Sequence, residues 1–230
     1  MKNKMFSGII ILIAIAFFSC KKEYTIGGSV SDPHVDMTTY DYLKTNPLFD
    51  TLLLLIDRTG LKDELNSSGT FFAFTDYAIQ HYVDAKREDE ILKRNDENLV
   101  YTFDSLDFTA LKDSVRAYIF KDEITRDNTT STGRIFKSND GELRLVQLIP
   151  SGDYTDGTVF STPPKYIYLN KMIATENGYP VPIDSTGIPG LKPGQLLKTL
   201  CQTTGIITTT GVLHVLSNSH TFTYYADDKN

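Results

Sequence analysis

The chain has 230 residues, with 23 Lys and Arg against 29 Asp and Glu, a formal charge of −6, 40% hydrophobic residues and two cysteines. That length suits one domain with a leader. The acidic balance, with bases interleaved among acids throughout, speaks against a nucleic-acid surface, and two cysteines rule out a disulfide framework.

The N-terminus reads as an export signal. Lys2 and Lys4 precede an uncharged stretch rich in Ile, Ala and Phe, and Ser19 places a small residue before Cys20. The stretch is shorter than the ~20 apolar residues of a comfortable transmembrane span. Phe17-Phe18-Ser19-Cys20 resembles a bacterial lipobox, which implies a signal peptide over residues 1–19 and lipid attachment at Cys20. Each buried methylene of such a lipid contributes ~0.8 kcal/mol, so two or three acyl chains anchor a protein stably. Residues 20–36, with Gly27-Gly28, Ser29, Ser31 and Pro33, read as a flexible tether.

Thr38 or Thr39 is placed to cap a helix carrying Tyr40 and Leu43. Leu48, Leu52, Leu55 and Ile56 continue the helical spacing after a break at Asn46-Pro47. Gly60 ends the second helix, and Leu61 to Leu65 allow one further turn. Then comes Gly69-Thr70-Phe71-Phe72-Ala73-Phe74, a run apolar at nearly every position, followed by Thr75-Asp76. Such a run belongs in the middle of a sheet, with Asp76 as N-cap of the next helix. From Asp84 to Glu97 charge dominates, which predicts a solvated insertion near residues 84–104, supported by pairs such as Glu90 with Arg94. Asp104 or Ser105 is then expected to start an amphipathic helix carrying Leu106, Leu111, Val115 and Tyr118.

The second half turns to strands. Residues 134–138 and 142–148 flank Asn139-Asp140-Gly141, and Asp-Gly between apolar runs predicts a hairpin. Residues 166–169 and 172–174 are expected to pair across Asn170-Lys171. Residues 177–194 contain eight Gly and Pro, a composition that predicts an irregular loop of the sort that often carries binding. The spacing of Leu196, Leu197, Leu200 and Cys201 predicts a helix, which would complete an insertion over 175–201. Gly211-Val212-Leu213-His214-Val215-Leu216 is a second apolar run, expected to lie in one core with the first.

Phe72-Ala73-Phe74-Thr75-Asp76-Tyr77-Ala78-Ile79 resembles the first signature box of fasciclin domains, and Gly211 to Leu216 resembles their second. The departures are Phe74 for Pro, Ile79 for Phe, Thr210 for Asn and Ser217 for Asp. The family's midway Tyr-His pair appears as Tyr118-Ile119, so no role of that His carries over. The resemblance implies an α+β fold, a mixed β-sheet wedge with helices packed at one side, occupying residues 37–223 before a tail at 224–230. It also implies a binding or adhesion module rather than an enzyme. Combined with Cys20, the expectation is a lipid-anchored protein of the outer membrane, which meets a membrane through its lipid and an extracellular protein or glycan through its fold. Which face of the membrane it occupies is left open by Lys21-Lys22-Glu23. An accessory role in a glycan-uptake assembly is a further possibility, and an enzyme acting on polysaccharide would need two carboxylates ~5 to 9.5 Å apart.

Residues with chemical potential are few. His214 alternates with apolar neighbours, as a hydrogen-bonded core histidine would. Cys201 reads as a buried structural thiol, since nothing adjacent would lower its pKa. Asp153-Tyr154-Thr155-Asp156-Gly157 lacks the regular ligand spacing of a calcium loop, and the run Thr203, Thr204, Thr208, Thr209 and Thr210 fits strand and turn propensity while offering hydroxyls to a sugar. No metal or cofactor is expected.

Overall fold

Two apolar runs separated by more than a hundred residues lie side by side in a computed structural model of the chain, which describes residues 32–67, 69–151, 163–174, 178–192 and 194–223. Strand β1 (Thr70–Ala73) pairs in parallel with β7 (Gly211–Leu216), setting Phe72 opposite His214 and Ala73 opposite Val215. Both are interior strands. The seven-stranded order is β2-β1-β7-β6-β5-β4-β3, with β2 at Ile119–Phe120, β3 at Arg134–Lys137, β4 at Leu143–Pro150, β5 at Lys165–Met172 and β6 at Leu196–Thr208. Parallel pairing suits strands covered on both faces, and Phe71, Phe72, Ala73 and Phe74 are all buried.

The two edge strands nearly close the sheet into a barrel. Phe120 of β2 forms an isolated antiparallel bridge with Ser138, just beyond β3, and the Asn139 backbone amide donates to the Ile119 carbonyl at 2.8 Å. Strand β6 joins the two halves of the sheet by pairing with β5 through its first residues and with β7 through its last. It manages both by breaking register twice, between Cys201 and Thr203 and between Thr203 and Ile206. Bulges of this kind bend a strand and increase its twist. Gly205, at φ +79°, supplies the left-handed backbone that the second break uses.

The helices cover the β1 end. Helix α1 (Thr39–Leu43) is capped by Thr38, whose hydroxyl accepts from the Asp41 amide. A 3-10 turn (Pro47–Phe49) follows the break at Asn46-Pro47, and the Asn46 side chain accepts from the Leu48 amide at 3.0 Å. Helix α2 (Asp50–Thr59) ends on Gly60 at φ +67°, and α3 (Lys62–Leu65) adds the single turn. Leu43, Leu52, Leu55, Ile56, Leu61 and Leu65 from these helices pack on the β1 and β7 core. Burying a side chain of this size contributes ~1.5 to 3 kcal/mol.

Helix α4 (Asp76–Arg94) absorbs the first charged stretch. Its N-terminal half buries Ala78, Ile79, Tyr82 and Val83, and the rest continues as the same helix to Asn95, with Arg94 and Lys93 paired to Glu90. Asp76 does not cap it. Thr75 holds the cap position without a side-chain cap bond, and its hydroxyl is buried with no partner among the described residues. The expected helix start at Asp104 or Ser105 is a 3-10 turn (Phe103–Ser105), and α5 (Phe108–Arg116) begins one turn later. There Asp107 accepts from the Thr109 and Ala110 amides at 3.0 and 3.1 Å, which two-bond capping outcompetes the earlier acid.

In the second half the Asp-Gly hairpin forms as expected, with Gly141 at φ +94° and its amide donating to the Ser138 carbonyl at 2.9 Å. Two expectations fail. Residues 166–174 are not a hairpin: β5 runs unbroken through Asn170-Lys171, which pair with Leu145 and Arg144 on one side and Lys198 and Leu197 on the other. Residues 196–201 are not a helix but the first part of β6, where inward Thr199 and Cys201 alternate with exposed Lys198 and Gln202. Residues 33–36, read above as the end of the tether, also join the fold: the Val35 amide donates to the Ile207 carbonyl at 2.9 Å, and the Ile207 amide donates to that of Pro33 at 2.8 Å.

Candidate functional site

The histidines of the core have settled partners. His214 Nε2 donates to the Ile124 carbonyl at 2.9 Å, and Nδ1 accepts the Gly205 amide at 3.1 Å, which fixes a neutral tautomer. The β6 bulge is what turns that amide inward. The ring stacks on Phe72 at 4.9 Å, and burial pulls its pKa down to about 4. His220 Nε2 shares a hydrogen bond with the Tyr118 hydroxyl at 2.8 Å and Nδ1 one with Thr199 at 3.2 Å; burial first, then the neighbouring His81, pulls its pKa to about 3. Tyr118 therefore does meet a histidine, but one that follows it by 102 residues. Sequence proximity gave no sign of it.

Phe222 helps to hold this arrangement. Its amide donates to the Ala78 carbonyl at 3.1 Å, and its ring lies 4.7 Å from Phe74 and 5.3 Å from Tyr82. The segment after β7 thus ties the end of the chain to the start of α4.

Cys201 is fully buried in β6, and burial pushes its thiol far above the range in which a thiolate forms. Thr208 and Thr210 are engaged by Thr39, whose hydroxyl lies 2.8 and 3.0 Å from theirs and whose amide donates to Thr210. They serve the junction of α1 with the β6–β7 turn. Asp140 and Glu142 hold Arg144 at 2.8 and 2.7 Å, so the guanidinium, almost fully buried on β4, sits between the two acids. Among the described residues no group of three or more His, Cys, Asp or Glu is placed to hold a metal ion. The Asp153 to Gly157 stretch and Cys20 with its leader lie outside the described residues, and no described helix is long and apolar enough to cross a membrane.

The loop of residues 178–195 is more ordered than its Gly and Pro content predicts. It contains a 3-10 helix (Ser185–Gly190), whose first turn is capped by the Asp184 carboxylate at 2.9 Å from the Thr186 amide. The Ser185 hydroxyl accepts the Ile135 amide at 3.0 Å and so covers an outward donor of edge strand β3. Gln195 is buried and ties the loop's two ends: its Nε2 donates to the Ile173, Tyr179 and Pro180 carbonyls at 3.2 to 3.3 Å, and its Oε1 accepts from the Lys192 amide at 2.8 Å. Beneath the loop, Ile188 packs with Leu145 and Met172, a small second core flanked by Val181, Leu191 and Leu196.

Above it the loop presents apolar groups to solvent. Ile183 is 84% exposed and Tyr179 49%, with the Lys192 ammonium 5.3 Å from the Tyr179 ring centre. Two adjoining hollows of about 240 and 380 Å³ share Val181 and Pro182 as a common wall. Gly and Pro spacing located this loop in the sequence; nothing in it singled out Gln195, because its four partners come from both ends of the loop and from Ile173, just past β5.

Compared with models of protein families and with curated proteins, the chain matches none.

Proposed function

We propose that this protein is a lipid-anchored, non-catalytic binding module of the bacterial cell envelope, built on a fasciclin-like mixed sheet wedge. The fold reading draws support from the two boxes, whose strands pair in parallel in the interior of the sheet. The binding reading rests above all on the 178–195 loop, which is fastened beneath by Gln195 and Ser185 and presents Tyr179 and Ile183 outward. A fastened surface loses little conformational entropy on binding. The exposure of an aliphatic side chain as large as Ile183 favours a protein as the loop's partner, since interface cores are apolar and aromatic. That partner fits a second reading, an accessory subunit of an outer-membrane glycan-uptake assembly.

The two parts of the proposal are tested separately. The Cys20→Ser variant moves from the membrane to the soluble fraction if Cys20 carries the anchor; retention in the membrane refutes the anchoring. Replacing residues 178–192 with a Gly-Ser linker abolishes cross-linking of the anchored protein to its envelope partner. An unchanged cross-linking pattern refutes the loop as the binding surface.

A further inference from the structure

The seam at which the sheet closes gathers two lysines on one cleft. Phe120 is bridged antiparallel to Ser138, and the residues that follow the one and precede the other, Lys121 and Lys137, both line the cleft beside that bridge. Like charges gathered on neighbouring chain segments repel one another. Neither lysine forms an ion pair with any carboxylate among the described residues.

Both line an open cleft of about 670 Å³ together with Arg116, Glu64, Asp122 and Asn139. The Glu64 carboxylate is already engaged, accepting from Arg116 at 2.9 Å and from the side-chain amide of Asn139 at 3.0 Å. Arg116 is further paired with Asp113 at 3.1 Å. What is left over in the cleft is two ammonium groups against the single carboxylate of Asp122, in a protein whose total charge is −6. An anion seated between the two lysines would replace their repulsion with two charge-assisted hydrogen bonds.

We propose that this cleft is a binding site for the carboxylate or sulfate group of an acidic sugar, held between Lys121 and Lys137. The volume falls within the ~300 to 1,000 Å³ usual for small-ligand sites. The protein's overall negative charge disfavours a long, densely charged polyanion, and so points to a short acidic unit. Among the described residues no aromatic side chain lines the cleft, so recognition depends on the charge rather than on stacking against a sugar face. The choice of a sugar rests on the envelope-binding reading above; the requirement for an anion rests on the two lysines of the cleft, neither of them ion-paired among the described residues.

The test uses the full-length protein in detergent, titrated calorimetrically with trigalacturonic acid, a sulfated galactose trisaccharide, uncharged galactotriose and sodium sulfate. At least one acidic trisaccharide binds, galactotriose does not, and Lys121→Gln/Lys137→Gln weakens binding at least tenfold. The linker replacement of residues 178–192 leaves this binding unchanged, which separates the cleft from the loop. Melting temperature gives a second readout: the double variant without ligand melts no lower than the wild type, and the stabilisation by acidic sugar seen in the wild type disappears. The proposal is overturned if galactotriose binds equally, if sulfate alone binds while neither acidic trisaccharide does, if no probe binds, if the double variant binds like the wild type, or if the loop replacement abolishes binding.

Discussion

The Asp76 carboxylate closes the first turn of a helix to which it does not belong. Its Oδ1 accepts the Thr51 amide at 2.9 Å and the Leu52 amide at 3.1 Å, which satisfies two orphan donors at the start of α2 and bolts α4 to it. The acid that follows β1 is therefore an interhelical cap.

Asp76→Ala should cost about 1 kcal/mol or somewhat more, the usual cost of a lost helix cap, whereas Asp76→Asn keeps an acceptor and costs less. Burial raises the Asp76 pKa above its ordinary 3.8, outweighing the amides that lower it. The folded protein then holds this proton more tightly than the unfolded chain, so the contribution of Asp76 is most favourable below 3.8 and declines as pH rises through the raised folded value. Urea unfolding at pH 3 and pH 6 checks this: the stability of Asp76→Asn relative to wild type should increase with pH, and a constant difference contradicts it.

The two buried histidines impose the opposite trend. Both have folded pKa values lowered from 6.5, to about 4 for His214 and about 3 for His220. Their stabilising effect is complete above pH 6.5 and is lost progressively as pH falls towards those folded values, because the unfolded chain takes up protons first. A wild-type melting temperature several degrees lower at pH 4.5 than at pH 7 is expected, with part of that drop missing in His214→Gln. Equal melting temperatures at the two pH values would count against neutral, buried rings.

Removing the His214 ring altogether has a larger effect. His214→Ala leaves the Ile124 carbonyl and Gly205 amide without their partner and opens a void beside Phe72. The expected loss is about 3 to 5 kcal/mol, in the range of large-to-small core substitutions. Chemical denaturation measures it, and a loss below about 1 kcal/mol would show that the ring is replaceable.

Arg144 is the most exposed to a charge-burial penalty. Arg144→Ala removes the cation from the buried side of Asp140, and breaking a buried pair costs about 3 kcal/mol or more. The partner Glu142 is largely solvated and is expected to adjust. In a double-mutant cycle with Asp140→Asn the losses should be strongly non-additive. Additive losses would mean that the two residues act independently.

Gln195→Ala tests the fastening of the loop. It removes the donor to three carbonyls and the acceptor for the Lys192 amide, with an expected cost of about 1 to 3 kcal/mol. Local opening should speed both hydrogen exchange at the Ile135 amide and proteolysis within residues 178–192. Unchanged exchange at Ile135 would show that Ser185 holds the loop without Gln195.

The sequence by itself determined those features whose cause lies within a few residues. Asn46-Pro47 broke a helix, Gly60 ended one and Asp140-Gly141 turned a hairpin, because a fixed φ, a positive φ or a nearby acceptor acts locally. The apolar runs Phe71 to Phe74 and Val212 to Leu216 were legible as central strands, because burial on both faces leaves no polar alternation.

Only the tertiary structure decided which partners those local elements would meet. Leu196, Leu197, Leu200 and Cys201 fit a helix as readily as a strand, and the ladder with β5 along Leu196 to Leu200, taken over by β7 from Cys201, made them a strand. Asp76 had amides of its own helix within reach but was placed against those of Thr51 and Leu52. Tyr118 found His220, and Phe120 met Ser138, only once the sheet had curved far enough for its edges to touch. Local propensity acts over a turn or two of chain, whereas the choice among distant partners follows from how the whole core packs.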